Sequence, residues 1–204
     1  MLLHELVERG GMEHPILRAF RDGAVCMVNP PACKILHKKA SLAVLSDERN
    51  SWLFSNEEQE AIDQSIPWTR VVEPRRTTHE DEEVDLLEFM AGNKDQLVLK
   101  PNDEYGGKGI VLGWEVDDAA WGETLRTALA EPYIVQDRIT LPSEPYPSMI
   151  DGRLVVADRM VDTAPYAAHG TIVDGCLTRL ASVSLINVTA GGGSQTPTFL
   201  AEPR

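Results

Sequence analysis

The 204-residue chain is predicted to adopt an α+β fold with two sheet-containing lobes. Three observations carry that reading. Segments with apolar residues at helical spacing alternate with short apolar runs of strand length. The run Leu97-Val98-Leu99-Lys100 leads through a loop containing Gly106-Gly107-Lys108-Gly109 into Ile110-Val111-Leu112, a strand–loop–strand pattern. Tyr133-Ile134-Val135-Gln136-Asp137-Arg138-Ile139 reads as a further strand, joining a lobe of residues 1–132 to one of residues 133–204.

Residues 1–23 read as helix, broken near Gly10-Gly11 and His14-Pro15 and ended by Gly23. Residues 24–28 form an apolar run predicted to be a short buried strand, and Asn29-Pro30-Pro31 turns the chain. Residues 34–45 have helical periodicity through Ile35, Leu36, Leu42 and Leu45. Asn56 is the expected cap of a helix over 57–64, stopped by Pro67. Val71-Val72 predicts a strand and Pro74-Arg75-Arg76 a loop. The acidic run Glu80-Asp81-Glu82-Glu83 reads as a solvated approach to a helix over 84–90 that Gly92 stops. Asp117 or Asp118 caps a helix to Ala130. Residues 142–147 are predicted to be a proline-rich crossing loop. Residues 153–161, 170–174 and 185–188 follow as strands, before the glycine-rich loop that runs through Gly191-Gly192-Gly193-Ser194.

The formal net charge is −13, which argues against a nucleic-acid partner, since phosphates need a basic face. No apolar run approaches the roughly 18 residues of a membrane span. The acidic N-terminal segment lacks the basic start and apolar centre of a signal peptide, so a cytoplasmic location is expected. Three cysteines, Cys26, Cys33 and Cys176, are too few for a disulfide scaffold and are expected in the core.

The glycine loop admits two readings. Its glycines can simply make a hairpin turn. They can also let the backbone approach an anion, with successive N–H groups forming a cradle and Lys100 and Lys108 adding charge. A Walker A loop is excluded, because Lys108 is followed by Gly109 and then an apolar run rather than by Ser or Thr and a helix.

The order of these elements resembles the ATP-grasp superfamily, and more closely its circularly permuted members, the glutathionylspermidine synthase-like ligases. The residues that carry the resemblance are Asn29-Pro30-Pro31 through Lys39-Ala40, residues 97–109, residues 133–139, Cys176-Leu177-Thr178-Arg179 and residues 187–197. The resemblance implies two lobes holding ATP between their sheets under a glycine-rich flap. It makes Lys39 and Lys100 the nucleotide lysines, with Lys39 presented from a helix. Gly106, Gly107 and Gly109 become the flap, and Lys108 reaches a phosphate. Residues 135–137 become the hinge whose backbone reads adenine, with Gln136 or Asp137 adding a contact. Arg179 steadies the transferred phosphoryl group, for which a planar guanidinium is suited. Gly191, Gly192, Gly193 and Ser194 become a substrate or phosphate loop, unless they are only a terminal turn.

The same resemblance implies Mg²⁺, held in such enzymes by an aspartate and a Glu-x-Asn pair. Here Asn187 is present but Leu185 stands where the glutamate belongs, and residues 1–38 contain no Glu-x-Asn. Asp158 and Asp162 are the aspartates left to reach a metal. The chain is therefore expected to be the C-terminal portion or a shortened member of such an enzyme, with an N-terminal domain or partner supplying ligands. The implied reaction joins a small carboxylate or peptide to an amine or thiol through an acyl phosphate. The alternative is a non-catalytic binding module of the same fold.

Overall fold

The computed structural model describes residues 3–184 and 193–199. It contains helices and three antiparallel sheets, a mixed α+β structure. Contacts divide the chain into two compact units, Met1–Asp103 with Val111–Asp137, and Glu104–Ile110 with Arg138–Arg204. The division falls after Asp137 rather than at 132/133, because the strand from Tyr133 is an interior member of the first unit's sheet.

In the first unit, helices α1 (Leu3–Gly10) and α2 (Pro15–Arg21) are separated by a 3₁₀ turn, as the glycine and proline punctuation predicts. Residues 24–28 form no strand; Val25 and Val28 are exposed. A short apolar run is not enough to make a strand when no ladder partner covers it. The expected helix over 34–45 is two, α3 (Lys34–His37) and α4 (Ala40–Ser46), with Lys38 and Lys39 between them. Helix α5 (Asn56–Ser65) is capped by Ser55, not Asn56. The Ser55 hydroxyl and the Glu58 carboxylate satisfy each other's backbone N–H groups in a capping box.

The main sheet joins β1 (Thr69–Val71), β4 (Leu97–Pro101), β5 (Val111–Leu112) and β6 (Tyr133–Asp137) in the order β1-β6-β4-β5. Side chains alternate across a strand, so its two faces differ. Leu97, Leu99, Tyr133 and Val135 enter a core with Leu86 and Met90 of α6 (Leu86–Gly92) and Trp121 and Ala128 of α7 (Asp118–Ala130). Burying each large apolar side chain there stabilises the fold by roughly 1.5–3 kcal/mol. The opposite face carries Lys100, Ile134, Gln136 and Thr69, and α4 lies against it, with the Ser46 hydroxyl bonded to both the Thr69 N–H and carbonyl at 2.9 Å.

The acidic run is no helix approach. It turns a hairpin of β2 (Arg76–His79) and β3 (Glu82–Asp85), with Glu80 and Asp81 at positive φ, and Asp85 caps α6. Beside it a charged network is buried. Arg70, 2% exposed, donates to Glu48 at 2.7 Å and to Thr77 at 2.6 Å, and Arg75 pairs with Asp47 at 2.5 Å.

The second unit holds a sheet of β7 (Ser143–Ile150), β8 (Arg153–Ala168), β9 (Ile172–Ala181) and β10 (Gly193–Thr196), in the order β10-β9-β8-β7. The expected proline-rich loop is largely β7 itself. Pro145 and Pro147 are tolerated because β7 is an edge strand, where a missing N–H need not break a ladder. Among the described residues no helix is long and apolar enough to cross a membrane. The cysteines are free and none is in the core: Cys26 is exposed, and Cys33 and Cys176 are half-buried.

Candidate functional site

The first unit gathers its chemistry where β4 ends and α4 begins. Asn102 joins the two elements. Its carbonyl accepts from the Lys39 backbone N–H at 3.1 Å, and its side-chain Oδ1 accepts from the Ala40 N–H at 2.9 Å. Lys39 is thereby held at the first turn of α4, close enough for its charge to act on Lys100. Burial of Lys100, followed by the charge of Lys39, pushes the Lys100 ammonium below the ordinary lysine range.

Lys100 is half-buried and donates to Gln136 Oε1 on the adjacent strand at 2.6 Å. Gln136, 4% exposed, donates through Nε2 to Thr69 Oγ1 at 2.8 Å. The Thr69 hydroxyl donates to the Pro67 carbonyl at 2.7 Å. Among the described residues the lysine is therefore met by a neutral amide rather than by a carboxylate, which would compete with an anion.

At the next turn Asp103 receives Lys34 at 2.5 Å and Lys38, and His37 Nε2 lies 3.6 Å from it. Hydrogen bonds from Lys34 and Lys38 bring the Asp103 carboxyl down to about 2. Burial, then the neighbouring Lys34, lowers the His37 imidazole. A cleft of about 640 Å³ borders this cluster, with Lys34, Lys38 and Asn102 on its rim and Ile35, Val44 and Leu45 in its walls.

Gln136 and Asp137 are both engaged inside the protein. Asp137 meets His79 Nε2 at 3.1 Å, and the imidazole is edge-on to Trp68 with its centroid 4.9 Å away. Burial raises the Asp137 carboxyl, and the charge of His79 opposes that rise. Residues 134–136 have β1 on one side and β4 on the other, and the Asp137 N–H donates to Trp68. A strand paired on both edges has no backbone left over for an adenine edge, so residues 135–136 do not present the hinge groups expected of them.

In the second unit, Gly106, Gly107 and Gly109 have φ of 66°, 79° and 71°, a conformation that glycine reaches without strain. Lys108 is exposed and pairs with Glu104 at 3.1 Å. Arg179 is ion-paired with Asp162, and its Nε is buried without a hydrogen-bond partner among the described residues. Asp158 is exposed on β8, and its carbonyl accepts from Arg159. Gly193 and Ser194 are in β10, paired with Ala181 and Leu180, rather than in a loop. Asn187, Gly191 and Gly192 lie outside the described residues, as does Leu185. Among the described residues no group of three or more His, Cys, Asp or Glu could hold a metal ion.

Sequence reasoning missed Asn102, Thr69, Asp103 and His79. Asn102 and Asp103 follow Lys100-Pro101 directly, a position that places them at a strand end, but only the fold brings residues 34–40 to them.

No family model matches the chain. A protein of Mycobacterium tuberculosis, named as uncharacterized, is 33% identical over 142 residues, which is 65% of this chain and 24% of that protein. A protein of Frankia alni named "Putative glutamate--cysteine ligase 2-3" is 28% identical over 185 residues, 88% of this chain and 20% of its own length. One of Frankia casuarinae named "Putative glutamate--cysteine ligase 2-2" is 32% identical over 118 residues, 53% of this chain and 13% of its own length. The chain thus spans about a quarter or less of the length of these relatives.

Proposed function

We propose that this chain is the ATP-binding portion of an ATP-dependent ligase, one that joins a carboxylate to an amine or thiol through an acyl phosphate. The observation that carries the reading is the Lys100 ammonium, half-buried beside Lys39 and held by the neutral Gln136 amide. Two like charges brought together where water is scarce raise each other's cost, and a polyphosphate between them relieves it. A cleft of about 640 Å³ lies next to this pair, lined by Lys34, Lys38 and Asn102 rather than by Lys39 or Lys100, and its size is that of nucleotide-sized ligands. The ligase names of the Frankia relatives support the same class and give glutamate and cysteine as the first substrates to try.

In this reading Lys39 and Lys100 hold phosphate oxygens and offset their charge as the phosphoryl group moves. Gly106, Gly107, Lys108 and Gly109 retain the flap role, and Arg179 the phosphoryl-steadying role, that the resemblance implies. The donor set for Mg²⁺ does not fit among the described residues: Asp158 stands alone and Asp162 is taken by Arg179. No step is therefore assigned to a metal held by these residues. That misfit favours a second reading, a nucleotide-binding module that does not ligate.

Trapping with hydroxylamine separates the two. A ligase transfers the γ-phosphoryl group to a carboxylate, and hydroxylamine captures the acyl phosphate as a hydroxamate with release of phosphate. Hydroxamate that depends on ATP and on glutamate or another acid supports the ligase. Nucleotide binding with no hydroxamate for any acid supports the module.

A further inference from the structure

We infer that Thr69 and Gln136 are positioning residues for Lys100, joined in a hydrogen-bond relay whose direction is fixed from end to end. The inference rests on the reading of Lys100 as a phosphate-binding lysine. Proton accounting sets the direction. The Thr69 hydroxyl has one hydrogen, and it is committed to the Pro67 carbonyl at 2.7 Å. Toward Gln136 that oxygen can only accept, so the amide must turn its NH₂ to Thr69, at 2.8 Å. Its carbonyl Oε1 is then left facing the Lys100 ammonium at 2.6 Å. Rotating the amide by half a turn would set NH₂ against an ammonium and leave two acceptors facing each other.

The setting keeps the relay rigid. Thr69 is fully buried and Gln136 is 4% exposed. Their strands pair directly, Thr69 opposite Gln136, while Lys100 is opposite Ile134, two residues along the same face. The Thr69 backbone is pinned in turn, its N–H and carbonyl both bonded to the Ser46 hydroxyl at 2.9 Å. Buried polar groups of this kind specify geometry because the alternatives leave unpaired donors or acceptors. A glutamine also differs from a glutamate here in a way that matters for an anion site. It orients the ammonium without neutralising it, whereas a carboxylate would compete with the phosphate.

The test titrates the Lys100 side chain by NMR, with ¹⁵N-lysine labelling and Lys100→Arg for assignment, and measures affinity for a non-hydrolysable ATP analogue on the same samples. Thr69→Val, isosteric but without the hydroxyl, is expected to lower the Lys100 midpoint and weaken the analogue about fivefold, while Thr69→Ser changes neither. Gln136→Glu is expected to raise the midpoint and yet weaken the analogue about tenfold, an opposition that a purely structural role does not produce. A folded Thr69→Val protein whose Lys100 titrates as in the wild type overturns the relay. A shifted titration with unchanged analogue affinity, in a background where Lys100→Ala also binds normally, keeps the relay and overturns the phosphate role of Lys100.

Discussion

Lys100 Nζ and Gln136 Oε1 are 2.6 Å apart on neighbouring strands, and the pair lies on the sheet face that α4 covers. This places a cationic group in a half-buried setting where, among the described residues, an amide oxygen and no carboxylate meets it. The charge of Lys39 then adds to the cost. Replacing Lys39 by alanine is therefore expected to move the Lys100 midpoint up toward its ordinary value of 10.5. Nucleotide affinity is nevertheless expected to fall about tenfold if Lys39 holds phosphate as proposed. Lysine-resolved NMR and calorimetry on one sample check both signs.

Asp103 predicts the acid limb of stability in this region. Its folded pKa of about 2 lies below the ordinary 3.8, so the unfolded chain binds the proton more readily. The contribution is complete above 3.8 and is lost as pH falls toward about 2. Asp103→Asn should flatten the fall in urea midpoint between those two pH values, and added salt should do part of the same, since the carboxylate is partly exposed.

Asp47 is the opposite case, 4% exposed and held by both Arg75 and Arg49. Removing it leaves Arg75 still paired with Glu48 and Arg49 with Glu73, but forfeits the buried charge-assisted hydrogen bonds that both make to Asp47. Asp47→Ala should cost about 1.5–3 kcal/mol in chemical denaturation. Arg126→Ala, which breaks the exposed pair with Glu123 on α7, should cost only a few tenths.

Gly113 is fixed by close packing. A Cβ there would stand 1.8 Å from the Lys94 carbonyl oxygen and 2.6 Å from its carbon, and backbone cannot swing aside as a side chain can. Gly113→Ala should destabilise by more than about 2 kcal/mol, whereas Gly92→Ala, which meets nothing within 4 Å, should be near neutral.

The elements with strong local signals were legible in the sequence. The apolar runs at 97–99 and 133–135 are interior strands, each with three buried apolar residues in a row, and of the two expected caps of α7 it is Asp117 that serves. The β2–β3 hairpin was hidden because its turn is built from Glu80 and Asp81 rather than from Asn-Gly, inside an acidic run. Strand β7 was hidden by Pro145 and Pro147, since a proline argues against a strand until its edge position is known. Of the candidate site, Lys100 could be named from its strand–loop pattern and Lys39 only through the family resemblance. Gln136 could be named as an adenine contact but not as the partner of Lys100, which it reaches through a register between strands 36 residues apart, and Asn102, which reaches Ala40 across 62, could not be named at all. The same register takes up the backbone of residues 134–136, which local sequence had left free for adenine.

The central claim is that Lys100 binds a nucleotide phosphate. A calorimetric titration of a non-hydrolysable ATP analogue with Mg²⁺ into the wild-type chain, beside Lys100→Ala, tests it most directly. Saturable binding by the wild type, weakened at least tenfold in a Lys100→Ala protein that melts normally, is the predicted result. Equal binding by both proteins, or none by a folded wild type, would contradict it.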